Sequence, residues 1–287
     1  MAPAVFKDLG KLANDLLTKD YKLGKSTVEV KTKTANNVTF TPSATKQDNA
    51  VQGKLVANAP LPADATLELT LQTEGTVAAT IEAADSILKN LTLSVDCETA
   101  KPGKAGLLGV GKATAEYKHD LFASKASYDY YKGDATACAT TAYKAFTFGA
   151  SADYSVPKSG LTKYAAACQF GAPEFTVCGK LSESIGKADG AVYSFSYFHK
   201  ISPKMQVSSE VVKASKKSDI ALAFGCAYKL DKDLTVKGKV DSDGILSGSY
   251  KQKLSPISTL TLAMAVDTVN LSESSKHKFG LVLNITP

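Results

Sequence analysis

The chain has 287 residues, 44% of them hydrophobic, yet no run of 18 or more apolar residues occurs, which excludes a membrane-spanning helix. It does not exclude a membrane barrel, whose apolar residues are diluted by alternation. The net charge of +6 comes from 34 cations, every one a Lys, against 28 carboxylates. Lysine is a mobile point charge without the planar fork of Arg, so this composition suits weak attraction of small anions and not specific nucleic-acid recognition.

The N-terminal residues lack the basic end, apolar run and small-residue cleavage site of a secretory signal. Lacking Arg, they do not read as a matrix-targeting peptide either, and a cytosolically made protein is expected. Here Val5, Leu9, Leu12, Ala13 and Leu16 recur at helical spacing, with Lys7, Asp8, Lys11, Asn14 and Asp15 on other faces. The pattern predicts one short amphipathic helix that ends before Asp20-Tyr21, with Gly24 at its hinge. Residues 1–24 thus form a helical leader and residues 25–287 a second unit. Such a helix either covers a soluble core or lies in a pore.

From residue 25 onward period two takes over. Leu67-Glu68-Leu69-Thr70-Leu71-Gln72, Leu91-Thr92-Leu93-Ser94-Val95-Asp96, Tyr193-Ser194-Phe195-Ser196-Tyr197 and Leu260-Thr261-Leu262-Ala263-Met264 each put one apolar and one polar face on a strand. Turn clusters such as Lys132-Gly133-Asp134 and Pro157-Lys158-Ser159-Gly160 separate the runs. No helical pattern intervenes, so neighbouring strands are antiparallel and joined by hairpins. About nineteen strands of ~10 residues, with short turns and the leader, use up the chain.

Alternation alone leaves open which face is wet, and barrel width decides it. Nineteen strands ~4.8 Å apart and tilted ~40° give a backbone diameter of roughly 38 Å, which side chains cannot fill. The interior of a single barrel must therefore hold water, and the polar face lines it. A two-sheet soluble sandwich is the alternative, but its outer face would be mostly Thr, Ser and Ala with few charges. Tyr117, Tyr128, Tyr130, Tyr143, Tyr154, Tyr164, Tyr193, Tyr197, Tyr228 and Tyr250 fall mostly near strand ends, as the headgroup girdle of a membrane barrel would.

Residues that carry chemistry are sparse. Cys97, Cys138, Cys168, Cys178 and Cys226 have no metal or disulfide spacing, and His119, His199 and His277 sit at the ends of strand-like runs. Gly106-Leu-Leu-Gly-Val-Gly111 opens onto a strand and reads as a flexible turn, not a phosphate loop. No catalytic constellation, metal or cofactor is expected.

Phe6-Lys-Asp-Leu-Gly-Lys11, Asp15-Leu-Leu-Thr-Lys19-Asp-Tyr21 and Lys31-Thr-Lys-Thr34 resemble the start of the voltage-dependent anion channels, the mitochondrial porins. The resemblance continues through Ser194 to Pro203, Tyr228-Lys-Leu-Asp and Leu246-Ser-Gly-Ser-Tyr-Lys-Gln252 to the last strand. Its middle segments look closest to plant-type members. Lys278-Phe-Gly-Leu-Val-Leu-Asn-Ile285 resembles the sorting signal of mitochondrial outer-membrane barrels, with Lys278, Gly280, Leu283 and Ile285 at its defining positions.

The resemblance implies a 19-stranded transmembrane barrel with its leading helix inside the pore, and nucleotide contact by the helix lysines, here Lys11 and Lys19. It also implies a voltage-gated, weakly anion-selective passage for ATP, ADP and small anions across the mitochondrial outer membrane. Membrane lipid, nucleotides, small metabolite anions and further copies of the chain are the expected partners. Three positions depart from the family. Asn14 stands where animal members often have Arg, and Asn90-Leu91-Thr92 replaces a Gly-Leu-Lys proposed for nucleotide contact. Leu69 replaces the lipid-facing Glu linked to hexokinase docking, so carboxylate-dependent kinase docking is not expected. In the expected register the strand lumen carries about eleven Lys against about ten carboxylates, which makes the anion preference mild. A protein-import barrel of the same architecture, or a soluble β-rich binding protein, is the competing reading.

Overall fold

The computed structural model describes residues 2–48, 50–100, 108–273 and 276–287. It is a closed barrel of nineteen strands behind a short helical leader. The strands are β1 (Lys25–Val30, carried on by Thr32–Lys33), β2 (Thr39–Gln47), β3 (Ala50–Leu61), β4 (Ala65–Gln72) and β5 (Val77–Ala84). Next come β6 (Leu91–Thr99), β7 (Leu108–Lys118), β8 (Phe122–Asp129), β9 (Asp134–Tyr143) and β10 (Phe146–Ser155). They continue with β11 (Gly160–Gly171), β12 (Phe175–Ser184), β13 (Ala191–Lys200), β14 (Met205–Ala214) and β15 (Ile220–Lys229). The last four are β16 (Leu234–Asp241), β17 (Ile245–Ser255), β18 (Ser258–Asp267) and β19 (Lys278–Ile285).

Each strand pairs antiparallel with the next. The seam is parallel: Ser26 faces Leu281, Thr27 faces Val282 and Val28 faces Leu283. An odd number of strands forces this, because hairpins reverse direction at every step. Most strands run 8 to 12 residues, the length that crosses a bilayer core when tilted. The Gly106–Gly111 stretch lies partly outside the described residues; Leu108 to Gly111 belong to β7.

Registers assign every side chain to a face. Glu68 and Thr70 of β4 share a face with Asn58 and Val56 of β3, while Leu69 pairs with Ala57 on the other. Tyr128, Tyr143, Tyr154, Tyr164, Tyr193 and Tyr228 all take the Leu69 face and are exposed. They form two rows. Tyr128, Tyr154, Tyr164 and Tyr193 lie towards the end where β1 begins, and Tyr143 and Tyr228 towards the far end. At that far end Phe146, Phe170, Phe175, Tyr197 and His199 continue the row, with ring centroids 5.0 to 6.4 Å apart. Amphipathic rings at both rims and aliphatic or small side chains between them form the outer face of a transmembrane barrel.

The leader departs from the single helix that its periodicity predicts. A 3-10 turn, Phe6–Asp8, precedes an α-helix, Lys11–Thr18, and Gly10 between them adopts φ +71°. Glycine reaches that left-handed region without steric cost, so the chain breaks there. We label the helix α1. Its buried face is Ala13, Leu16 and Leu17, continuous with Val5 and Leu9. Leu12, expected on that face, is instead 52% exposed, because within α1 it lies about 100° around the axis from Ala13, on the side away from Leu17, which completes the buried stripe.

Candidate functional site

The leader lies against the inner wall. Thr140 Oγ1 of β9 donates to the Ala4 carbonyl (2.8 Å), and the Gly10 N–H donates to Gln169 Oε1 of β11 (2.7 Å). Ser208 Oγ of β14 donates to the Ala13 carbonyl (3.4 Å), and Lys237 Nζ of β16 to the Lys19 carbonyl (3.2 Å). The Gly24 N–H then meets the Phe279 carbonyl of β19 at 2.9 Å. Between Ala4 and Gly24 the leader thus follows the wall from β9 to β19. Along the outside that arc exceeds roughly 60 Å, whereas one eight-residue helix and a dozen extended residues reach about 54 Å. Only a path inside the barrel fits: the wall side chains contacted, Thr140, Gln169, Ser208 and Lys237, all belong to the face opposite the tyrosines, and Phe279 is met through its backbone carbonyl.

The wall beneath the leader is built from small residues. Leu9 packs against Ala167 and Cys178, with Phe6 beside them. Ala13 and Leu16 pack against Phe198 and Ala227. Gly225 lets α1 itself approach closely: a Cβ there would lie 2.9 Å from Leu17 Cδ2 and 3.1 Å from Leu16 Cδ2. A valine at 225 should therefore lift α1 off β15 at a cost of about 1–3 kcal/mol. Gly179 on the outer face, where an added Cβ meets nothing within 4 Å, supplies the control. Faster protease cleavage of the leader in Gly225→Val, and not in Gly179→Ala, is the expected result. Equal protection in both would contradict the packing.

Polar contacts fasten the leader's other end. Asp20, at φ +74°, places its carboxylate 2.8 Å from Lys237 Nζ and 3.1 Å from Lys251 Nζ of β17. Burial raises its pKa, but hydrogen bonds and charge from the two ammonium groups outweigh that and hold it below the ordinary value. The ring of Tyr21 lies under Lys239 Nζ at 4.9 Å, and burial pushes its hydroxyl well above the usual phenol range. Nothing in residue spacing marks Asp20 as paired. The inward parity of Lys237 and Lys239, read from the alternation of β16, is the one signal that could have drawn attention to that wall.

The expected site residues are dispersed. Lys11 and Lys19 are exposed in the lumen on opposite ends of α1. Lys11 Nζ is held by Asp8 at 2.9 Å, which raises its pKa and offsets part of its field. Among the described residues no carboxylate lies in ion-pair range of Lys19. Asn14 is exposed, and Asp15 is half-buried with its carbonyl accepting from the Lys19 N–H (3.0 Å). Gly24 adopts φ +69° where the leader joins β1. Lys278 and Gly280 face inward on β19, while Leu283 and Ile285 face outward.

Charge in the lumen is laterally divided. Lys229, Lys237, Lys239, Lys251 and Lys253 point inward from β15 to β17, on the side where α1 ends. Glu68, Glu82, Asp96 and Glu98 point inward from β4 to β6. The wall thus offers a cationic and an anionic sector around one water-filled lumen.

A closed barrel this wide, with aromatic rims, a polar lumen and a helix inside it, defines a transmembrane diffusion pore. The eukaryotic porin family model matches residues 2–280, and the chain belongs to that family. A mitochondrial outer membrane protein porin of Neurospora crassa is 30% identical, with 98% of each chain covered. A voltage-dependent anion-selective channel of Drosophila melanogaster is 28% identical over 99% of each chain, and a rice mitochondrial outer membrane protein porin 2 is 25% identical over 98% of this chain and 96% of its own. Among solved structures, a mutant of Rh. blastica porin superposes with a TM-score of 0.51 at 8% identity, covering 85% of this chain and 90% of that one, a likeness of fold alone.

Proposed function

We propose that the protein is a voltage-gated, weakly anion-selective pore that passes ATP, ADP and small anions across the mitochondrial outer membrane. The observation that carries this reading is the cationic sector of β15 to β17 beside the leader, within a member of the eukaryotic porin family. The names of the Neurospora and Drosophila relatives support the membrane and the selectivity. A lumen of roughly 25–30 Å, narrowed by one helix of ~10–12 Å, admits a nucleotide. Lys19, with no carboxylate in ion-pair range among the described residues, is better placed to meet passing anions than Lys11, whose charge Asp8 offsets.

Anions and cations would favour opposite sectors, which keeps net selectivity small. Reversal potentials in planar bilayers under a salt gradient test this. Anion preference should be present at about 0.1 M salt and eroded at 1 M, where the screening length falls from about 10 Å to about 3 Å. Changing Lys19 and Lys239 to Glu should lower the anion-to-cation permeability ratio about two- to threefold. Strong cation preference of the unaltered protein would overturn the reading. Gating follows if charged lumen groups move in the field, since one unit charge crossing 100 mV gains about 2.3 kcal/mol. Leu69, apolar and outward on β4, leaves the outer face of that strand without a carboxylate for kinase docking; Glu68 beside it points into the lumen.

A further inference from the structure

The hinge encloses a space of its own. Tyr21, Lys22 and Leu23 cross the lumen near the seam, and with the inward faces of β1 to β4 they bound a cavity of about 570 Å3. That is the size of ordinary small-ligand sites. Three lysines, Lys22, Lys25 and Lys54, are among its lining residues, with the neutral polar Ser43, Thr45 and Gln72, and no Asp or Glu lines it.

This differs from the other lysine clusters of the lumen. Lys237 and Lys251 share Asp20, and Lys118 and Lys125 share Glu116. Among the described residues, none of Lys22, Lys25 and Lys54 has a carboxylate in ion-pair range. Glu74, which is not a lining residue, accepts a hydrogen bond from Gln52, which is. Three like charges around one space repel, and a multivalent anion between them reverses the sign of that interaction. Lysine suits the task because phosphate needs point charges here and no planar fork.

We propose that this cavity binds the phosphate chain of a soluble polyanion, the chemistry shared by inorganic polyphosphate and a nucleoside triphosphate. The site is separate from Lys11 and Lys19, and it rests on the pore reading only in that the ligand arrives through the lumen. Lys22 belongs to the leader, whereas Lys25 and Lys54 belong to the wall. An anion bridging them ties the hinge to β1 and β3, so occupancy favours the docked leader.

The experiment uses the purified full chain in detergent, with tripolyphosphate as probe, ATP as a second arm, and calorimetry as readout. Lys25→Gln with Lys54→Gln should weaken tripolyphosphate binding at least about tenfold, the loss of two charge-assisted contacts. Lys54→Arg should preserve it, and Lys158→Gln, in the turn between β10 and β11, should leave it within about twofold. Lys22→Gln lies outside the strands and repeats the test without altering the barrel. Unchanged binding in the cavity variants overturns the proposal, as does binding of ATP without binding of tripolyphosphate. Potassium chloride conductance of the same preparations separates the two readings: its absence in the unaltered protein defeats the pore, whereas intact conductance without phosphate binding defeats only the cavity.

Discussion

Replacing Asp20 with asparagine will loosen the leader from β16 and β17. The carboxylate and its Lys237 partner are each only 14% exposed, and the pair is hydrogen-bonded at 2.8 Å. The Lys251 arm is 40% exposed, so solvent discounts it. Loss of one partly buried, charge-assisted contact costs about 2 kcal/mol, or roughly a 30-fold shift between docked and released leader. Faster proteolysis of the leader and noisier single-channel current should report it. The pH dependence has a definite sign. A carboxylate held below its ordinary value stabilises docking at every pH above that range, and the contribution is lost as pH falls through the depressed value. Docking should therefore be flat from neutral pH down to about the ordinary aspartate value of 3.8, and should weaken only below it. Beside Asp20, the Tyr21 hydroxyl, pushed above the usual phenol range by burial, stays neutral throughout that range. The Asp20→Asn protein should lack the acid step. A release midpoint between pH 6 and 7 in the unaltered protein would show that some other group governs docking.

The parts of the molecule that are legible in the sequence are those where one residue carries a face label. In Leu67-Glu68-Leu69-Thr70 the two faces differ in polarity at every step, and the register places them as the alternation implies. Tyrosine is equally informative, because a ring with one polar tip has few places to go in a wide barrel. The inner wall beneath α1 was not legible for the opposite reason. Ala165, Ala166 and Ala167 are chemically alike, although Ala165 and Ala167 are buried inward and Ala166 faces out. Small residues on both faces carry no sign of direction, yet Ala167 forms part of the recess that receives Leu9. The Asp20 contacts were hidden by distance: Lys251 lies 231 residues away, and only barrel closure brings the two ends together. The break in the leader was written at Gly10, but helical spacing of the apolar residues is nearly continuous across it, so the break was not visible in that pattern.

Gly280 illustrates how one residue can answer to two demands. In the resemblance to a sorting signal it is the required glycine. In the fold it is the place where the leader crosses the last strand, and a Cβ there would lie 1.7 Å from the Lys22 carbonyl oxygen and 3.3 Å from that of Lys25. Both neighbours are backbone, and the Gly24 N–H bond to the Phe279 carbonyl at 2.9 Å pins the crossing in place. No rotamer change relieves the clash. Gly280→Ala must displace the leader or open the β19–β1 seam, at about 3 kcal/mol, the upper end of the usual overpacking cost. Refolding the denatured chain into detergent removes any cellular sorting step and so isolates the steric demand. The expected outcome is a barrel with a lower thermal midpoint and a protease-sensitive leader, while Phe279→Ala, outward and 69% exposed, refolds like the parent. If Gly280→Ala refolds in detergent with its leader protected and fails only in cells, the glycine serves recognition alone and the crossing is more tolerant than its geometry implies.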